Sequence, residues 1–382
     1  MAFGIVCEYN PFHNGHLHQI ETIKRASDEP IICVMSGNFT QRGEIAIADK
    51  YVRAEMALNC GADLVVELPV PFCLASAEYF AAAAVKILAQ LGVNKLSFGS
   101  ESADAEKIIK IARIAASDEF RSECATLSQN AGSAGAYFEL LAKKTGEDNI
   151  LSNDILGIEY TKAIIKNGYD IKIYPIKREG SAYLDTELFA GDFPSASAVR
   201  EAIKKGNTEQ ISSFIPHSVY EILKNVSLAD FDRVKDGILL TLRLIDGEKL
   251  DVAISDTGLV NRILATANKS TSFDGFEEKL QTKKYTKSAI RRAVLYILLG
   301  IKQSDIDALP SYTVLLGANK KGREYLSSIR KNANGIKVIT KPSDAEGNSQ
   351  FELSKKADAL YTLCFNNKKE SGFYIKKSPI IL

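Results

Sequence analysis

The first hundred residues constrain this chain most, because short apolar runs alternate there with patterns of helical period. Residues 3–7, 31–35, 64–68 and 95–98 read as strands, and residues 16–25, 49–59 and 77–91 between them read as helices. Strands alternating with helices imply parallel βαβ units, and hence an α/β fold on an open, doubly wound parallel sheet. In such a sheet a ligand sits at the carboxyl ends of the strands, near the point where strand order reverses.

Further along, an Ala- and Ser-rich stretch at 126–136 reads as helix and loop, 154–166 as a helix, 171–176 as a strand, and 197–205 as a helix preceded by Pro194 and Ser195. Past residue 229 the character changes to helices with basic faces, followed by an αβ segment at 312–340. At 382 residues the chain exceeds the usual single-domain size, so we place a boundary near 225, between a sheet-bearing domain at 1–225 and a mainly helical region at 226–382. No apolar run reaches the roughly 20 residues of a membrane helix and the start lacks a basic signal-peptide flank, so the expectation is a cytoplasmic protein with no membrane partner. Cys7, Cys33, Cys60, Cys73, Cys124 and Cys364 form no Cys-x-x-Cys pair, which argues against a zinc ribbon or disulfide framework. A net charge of +1 calls for no polyanionic partner globally, so any nucleic-acid surface has to be a local patch.

Only four histidines occur, and His13, His16 and His18 fall within six residues. They lie where the first strand hands over to the first helix, where free amides and the macrodipole favour an anion. Pro11 can stiffen this turn, and Gly15 lets backbone approach a ligand closely. Two imidazoles beside a helix N-terminus would donate to phosphate oxygens and stabilise charge developing at an α-phosphorus. Histidines on a helix are also common as plain surface or core residues, and these three could ligate zinc. Against zinc, the spacing is no helical i, i+4 pair and no Cys or carboxylate cluster adjoins them.

Residues 4–16, with His13-Asn14-Gly15-His16, resemble the first-strand signature of the class I synthetase and nucleotidyltransferase group, whose His-x-Gly-His element contacts ATP phosphates. The group's second hallmark, a Ser/Thr-rich segment ending in Arg at a helix start, is matched by Ser195-Ala196-Ser197-Ala198-Val199-Arg200. Taken alone this is a capped helix, with Ser195 and Ser197 providing hydroxyl and N-cap groups at its start and Arg200 one turn in. Paired with the histidine loop, it supplies a second phosphate contact. The resemblance implies a Rossmann-like sheet of nucleotidyltransferase type with His13, His16 and Arg200 as the catalytic residues.

The longer string Glu8-Tyr9-Asn10-Pro11-Phe12-His13-Asn14-Gly15-His16 is more particular. With Ser36-Gly37-Asn38-Phe39-Thr40-Gln41-Arg42-Gly43, Glu67-Leu68-Pro69, Phe98-Gly99-Ser100-Glu101 and Lys177-Arg178, it resembles the bacterial tRNA(Met) cytidine acetate ligases. Weaker similar strings occur at Lys283-Lys284-Tyr285-Thr286 and from Gly317 to Arg323. The resemblance implies ATP-dependent activation of acetate to acetyl-adenylate and acetyl transfer to the wobble cytidine of elongator tRNA(Met), forming N(4)-acetylcytidine. It further implies ATP contacts at Cys7, Glu8, Tyr9, Asn10, Pro11, Phe12, His13, Asn14, Gly15 and His16, and at Gly99, Asn153, Arg178 and Ser197.

Each carried-over position also has a plainer reading. Gly99 could be a turn glycine, Asn153 a helix cap, and Arg178 an exposed arginine after a strand. Gln41, Arg42, Lys50 and Arg53 could complete a cationic wall, with Lys50 and Arg53 on one helix face, or be solvated surface. Mg²⁺ is expected to travel with the nucleotide, with no protein metal ligand. Residues 36–43 are the candidate for a loop that excludes water. Lys279, Lys283, Lys284, Lys287, Arg291 and Arg292 group cations around Tyr285, which suits RNA backbone and a splayed base as well as it suits a hydrated helix face. Two rivals remain: an adenylyltransferase for a phosphorylated vitamin or cofactor precursor, and an RNA-binding protein with a vestigial nucleotide site.

Overall fold

The computed structural model describes residues 1–128, 133–146, 152–178, 196–206, 208–254, 256–282, 284–329 and 335–382, the side chains of 127–128, 133–136, 152–153 and 208 excepted. The amino-terminal part alternates β1 (Phe3–Cys7), α1 (Asn14–Ala26), β2 (Ile31–Ser36), α2 (Lys50–Asn59), β3 (Leu64–Leu68), α3 (Ala77–Gln90) and β4 (Lys95–Ser100). Four helices follow, α4 (Ala105–Ala116), α5 (Asp118–Ser128), α6 (Ser133–Thr145) and α7 (Ser152–Asn167), before β5 (Lys172–Lys177) and α8 (Ala196–Lys204).

These five strands are parallel and ordered β5-β4-β1-β2-β3. The chain therefore winds outward from β1 to β3, then returns to the other side of β1, so the strand order reverses between β1 and β4. The residues that follow β1 and end β4 face that crevice, where an open α/β sheet binds its ligands. β2 and β3 are buried at every residue, as central strands covered by helices on both faces must be.

Beyond residue 206 the chain forms α9 (His217–Asn225), α10 (Lys235–Leu244), α11 (Thr257–Asn268), α12 (Phe273–Leu280), α13 (Lys287–Leu299) and the short α14 (Gln303–Asp307). Helix α13 starts at Thr286, whose hydroxyl accepts the Ala289 N–H, and stops at Gly300, whose φ of 68° few side-chain-bearing residues adopt. The chain then returns to the sheet. β6 (Tyr312–Ala318) pairs antiparallel with β3, and after α15 (Lys320–Ile329), β7 (Lys337–Ile339) and α16 (Ser349–Thr362), the short β8 (Ile380–Ile381) also pairs with β6. The sheet does not end at residue 225, where α9 stops, because residues 312–318 extend it.

Candidate active site

The site is organised by how α1 begins. His13 has extended backbone and caps the helix: its Nδ1 accepts the Gly15 N–H at 3.1 Å, while the Nδ1 of His16 accepts the His13 N–H at 3.2 Å. Two imidazoles thus form a reciprocal capping box, a role usually filled by Ser or Thr and Glu. A neutral imidazole whose Nδ1 accepts carries its proton on Nε2, so each ring keeps a donor on its far edge. The rings stack with centroids 3.7 Å apart. Burial, then the charges of Arg178 and Arg200, push the His13 imidazole down to about 3, and burial, His13 and Arg178 hold His16 well below its ordinary value. At neutral pH both are uncharged donors. Gly15 leaves room for the ring, since a Cβ there would press on the His13 imidazole at 3.0 Å.

The histidines line a cleft of about 210 Å³ at the carboxyl ends of β1 and β4. Cys7, Glu8, Tyr9 and Asn10 continue its floor, and Gly99, Arg178 and Arg200 reach it from β4, the end of β5 and α8. Arg200 is fixed by three oxygens: Nη1 donates to the Asn10 carbonyl at 2.8 Å, Nη2 donates to Ser197 Oγ at 3.0 Å, and Glu44 Oε2 is 3.5 Å away. A Cβ on Gly99 would press on Arg178 Cγ at 3.2 Å. Across the cleft stand Phe80, Phe98, Leu156 and Tyr160. Gly157 lets α7 lie on the Phe98 ring, which a Cβ would meet at 2.4 Å. One side of the cleft is therefore cationic and rich in N–H donors, and the other is aromatic and apolar.

The HIGH Nucleotidyl Transferase family model matches residues 1–374. The tRNA(Met) cytidine acetate ligase of Clostridium perfringens is 34% identical over 400 residues, covering 99% of this chain and 98% of that protein. That of Caldanaerobacter subterraneus subsp. tengcongensis is 38% identical over 396 residues, covering 96% of each. The crystal structure of Thermotoga maritima TmcAL in its apo form superposes with a TM-score of 0.91 at 32% identity, and that of the same protein bound with alpha-thio ATP with 0.89 at 30% identity, each covering 100% of both chains. The chain belongs to the tRNA(Met) cytidine acetate ligase family.

Within this acetate ligase family member, not every expected residue faces the cleft. Phe12 is fully buried, packing its ring on Tyr9 with centroids 4.7 Å apart, and Tyr9 in turn supports His16 at 4.8 Å. Asn14 points away, donating Nδ2 to the Ser213 carbonyl at 3.0 Å. Pro11 and Gly15 shape the turn without lining the cleft, and Ser197 reaches it through Arg200. Asn153 is the second residue of α7, but its side chain, like Ser195 and Lys283, lies outside the described residues. The neighbouring Asp154 is buried and accepts from Ser100 Oγ at 2.5 Å and the Glu101 N–H at 3.0 Å, tying α7 to the end of β4.

Lys50 and Arg53 correct the expectation of a cationic wall or a solvated face, since both are buried and neither lines the cleft. Lys50 Nζ lies 2.9 Å from both Glu67 oxygens and 2.8 Å from Asp358 Oδ2. Arg53 donates to the carbonyls of Ala48, Glu8, Ser36 and Gly37, clamping the ends of β1 and β2 together. Gln41 and Arg42 do line the cleft. They belong to a tight turn in which Thr40 N–H donates to the Glu44 carbonyl and Gly43 N–H to the Thr40 carbonyl, both at 2.9 Å, while Gln41 N–H donates to Glu8 Oε1 at 2.7 Å.

The cations around Tyr285 are partly engaged. Lys284 Nζ is 2.7 Å and Tyr285 Oη 2.6 Å from Asp256 Oδ2, and Lys287 pairs with Glu277 at 3.1 Å. A groove of about 340 Å³ runs past Lys284, Tyr285, Arg292 and Tyr296, and Arg292 reaches from it to the Gln41 carbonyl at 3.2 Å. The groove thus meets the cleft wall. Among the described residues no helix is long and apolar enough to cross a membrane, and no group of three or more His, Cys, Asp or Glu could hold a metal ion.

Proposed function

We propose that this protein uses ATP to convert acetate to acetyl-adenylate and then acetylates the wobble cytidine of elongator tRNA(Met), giving N(4)-acetylcytidine and AMP. The observation that carries the reading is the pair of neutral imidazoles capping α1, each with an Nε2–H free of the capping bonds, beside Arg178 and Arg200 at the strand-order reversal.

Acetate is ionised at neutral pH and attacks the α-phosphorus without a general base, so positioning and charge stabilisation dominate the first step. One carboxylate oxygen bonds to phosphorus as pyrophosphate leaves. The His13 and His16 N–H groups, the positive end of the α1 dipole and Arg200 stabilise the charge gathering on the phosphate oxygens. Being neutral, the histidines donate without first losing a proton. The apolar wall of Phe80, Phe98, Leu156 and Tyr160 suits the adenosine, and Gly99 leaves room for the Arg178 side chain at the cleft. In the second step the cytidine amine attacks the acetyl carbonyl, AMP departs, and the amine proton is lost.

Mg²⁺ would supply further neutralisation of the triphosphate. Glu8 and Glu44 lie at the cleft but are engaged by the Gln41 N–H and by arginines, so the donor set suits an ion held by the nucleotide's own oxygens. The tRNA would lie over the groove at Lys284, Tyr285 and Arg292, with its target base leaving the anticodon stack to reach the adenylate. In this division residues 1–225 carry the ATP site and 226–382 grip RNA, and the partner places the protein in the cytoplasm. The test is exchange of labelled pyrophosphate into ATP. Exchange that requires acetate and proceeds without tRNA supports adenylate formation. Exchange indifferent to acetate refutes it.

A further inference from the structure

The turn carrying Glu44 does not rest on the sheet alone. Gly43, at a φ of 72°, packs backbone to backbone on α13, where an added Cβ would meet Arg291 Cβ and the Arg292 amide nitrogen at 2.8 Å. Glu44 extends from that contact between two guanidinium groups. Its Oε1 accepts from Arg291 Nη1, and its Oε2 lies 3.5 Å from Arg200 Nη2. Arg291 is itself held in place by the buried Glu277, which takes its Nε at 2.5 Å and its Nη2 at 3.2 Å. A carboxylate this close to Arg200 is an internal competitor for the anion that Arg200 must bind. A second, better-placed cation decides how far it competes.

We infer that Arg291, a residue of the helical region, is a positioning residue of the nucleotide site: by holding the Glu44 carboxylate it keeps Arg200 available to the triphosphate. The inference rests on the ATP reading above. Without Arg291, Glu44 turns fully onto Arg200 and neutralises it, and it also opposes the incoming phosphates. The site is therefore complete only when α13 is docked on the turn. Substitutions on the cationic face of α13 then reach ATP affinity without touching ATP.

The experiment measures the ATP KM of acetate-dependent pyrophosphate exchange in the full chain, without tRNA. Arg291→Gln, in which Glu277 keeps its Lys287 partner, raises KM about tenfold, the size expected of coupled charges in contact. Glu44→Gln lowers KM, and adding it to Arg291→Gln brings KM back to the wild-type value or below. A merely structural role for Arg291 predicts no such recovery, since the second substitution restores nothing to Glu277. The inference is overturned if Arg291→Gln leaves KM unchanged, if the double variant stays as impaired as the single, or if Glu44→Gln alone raises KM. The last measurement stands even if Arg291→Gln fails to fold. A wild-type protein that exchanges no pyrophosphate defeats the ATP reading itself, and the inference falls with it.

Discussion

The proposed mechanism gives His16 two separable jobs, and substitution can take them apart. Its Nδ1 accepts the His13 N–H, while its Nε2 is the donor assigned to phosphate. Asparagine offers an acceptor near the Nδ1 position but nothing at Nε2, whereas glutamine places an amide N–H near Nε2 and loses the short-range acceptor. In His16→Asn the capping bond survives and the ring stack on His13 is lost, so stability falls by about 1–2 kcal/mol. Loss of a preorganised donor lowers kcat for exchange by about 10²–10³, equivalent to about 2.7–4 kcal/mol. His16→Gln should retain at least about a tenth of the wild-type kcat, because the donor is kept. Acetate-dependent pyrophosphate exchange at saturating ATP gives the rates, and urea titration gives the stabilities. Equal rates in the two variants, or an Asn variant within tenfold of wild type, would refute the donor role.

Removing Lys50 leaves Glu67 and Asp358 buried against each other, so Lys50→Met should cost about 3–5 kcal/mol in urea unfolding, and a loss under 1 kcal/mol would show the triad to be dispensable. Acid should destabilise the protein through His13: below the unfolded-chain value near 6.5 the unfolded state takes up a proton that the folded ring refuses until about 3. Stability therefore falls across that window with a slope approaching about 1.4 kcal/mol per pH unit from this ring and is flat above it, which urea titrations at graded pH would reveal. The same depressed rings leave kcat for exchange without an inflection near 6.5. Lys284→Ala should weaken tRNA binding and reduce the slope of log K against log salt by about 0.7–0.9, while exchange without tRNA persists. Equal loss of both activities would contradict that division.

Much of this site is local in sequence and could be read there. His13 and His16 lie within four residues, and strand-then-helix order places them at a carboxyl sheet edge, although the bonds by which they cap each other carry no sequence signal. Ser197 and Arg200 share one helical turn, so their pairing was equally legible. What escaped depends on contacts distant along the chain. Lys50 and Arg53 were visible as neighbours on a helix face, but the Asp358 partner of Lys50 comes 308 residues later and the acceptors of Arg53 are carbonyls, which carry no sequence signal. The antiparallel pairing of β6 with β3 and the Glu44–Arg291 bridge are hidden for the same reason. Gly157 was a faint clue to the apolar wall, since a glycine within a helix suggests a close neighbour, here Phe98.

The most direct test of the central claim is product analysis. Purified protein is incubated with ATP, Mg²⁺, isotope-labelled acetate and bulk bacterial tRNA, and the RNA is digested to nucleosides for mass spectrometry. The account predicts labelled N(4)-acetylcytidine that disappears when ATP is omitted. Label-free cytidine from a protein that binds ATP would contradict it and favour an adenylyltransferase acting on a phosphorylated precursor.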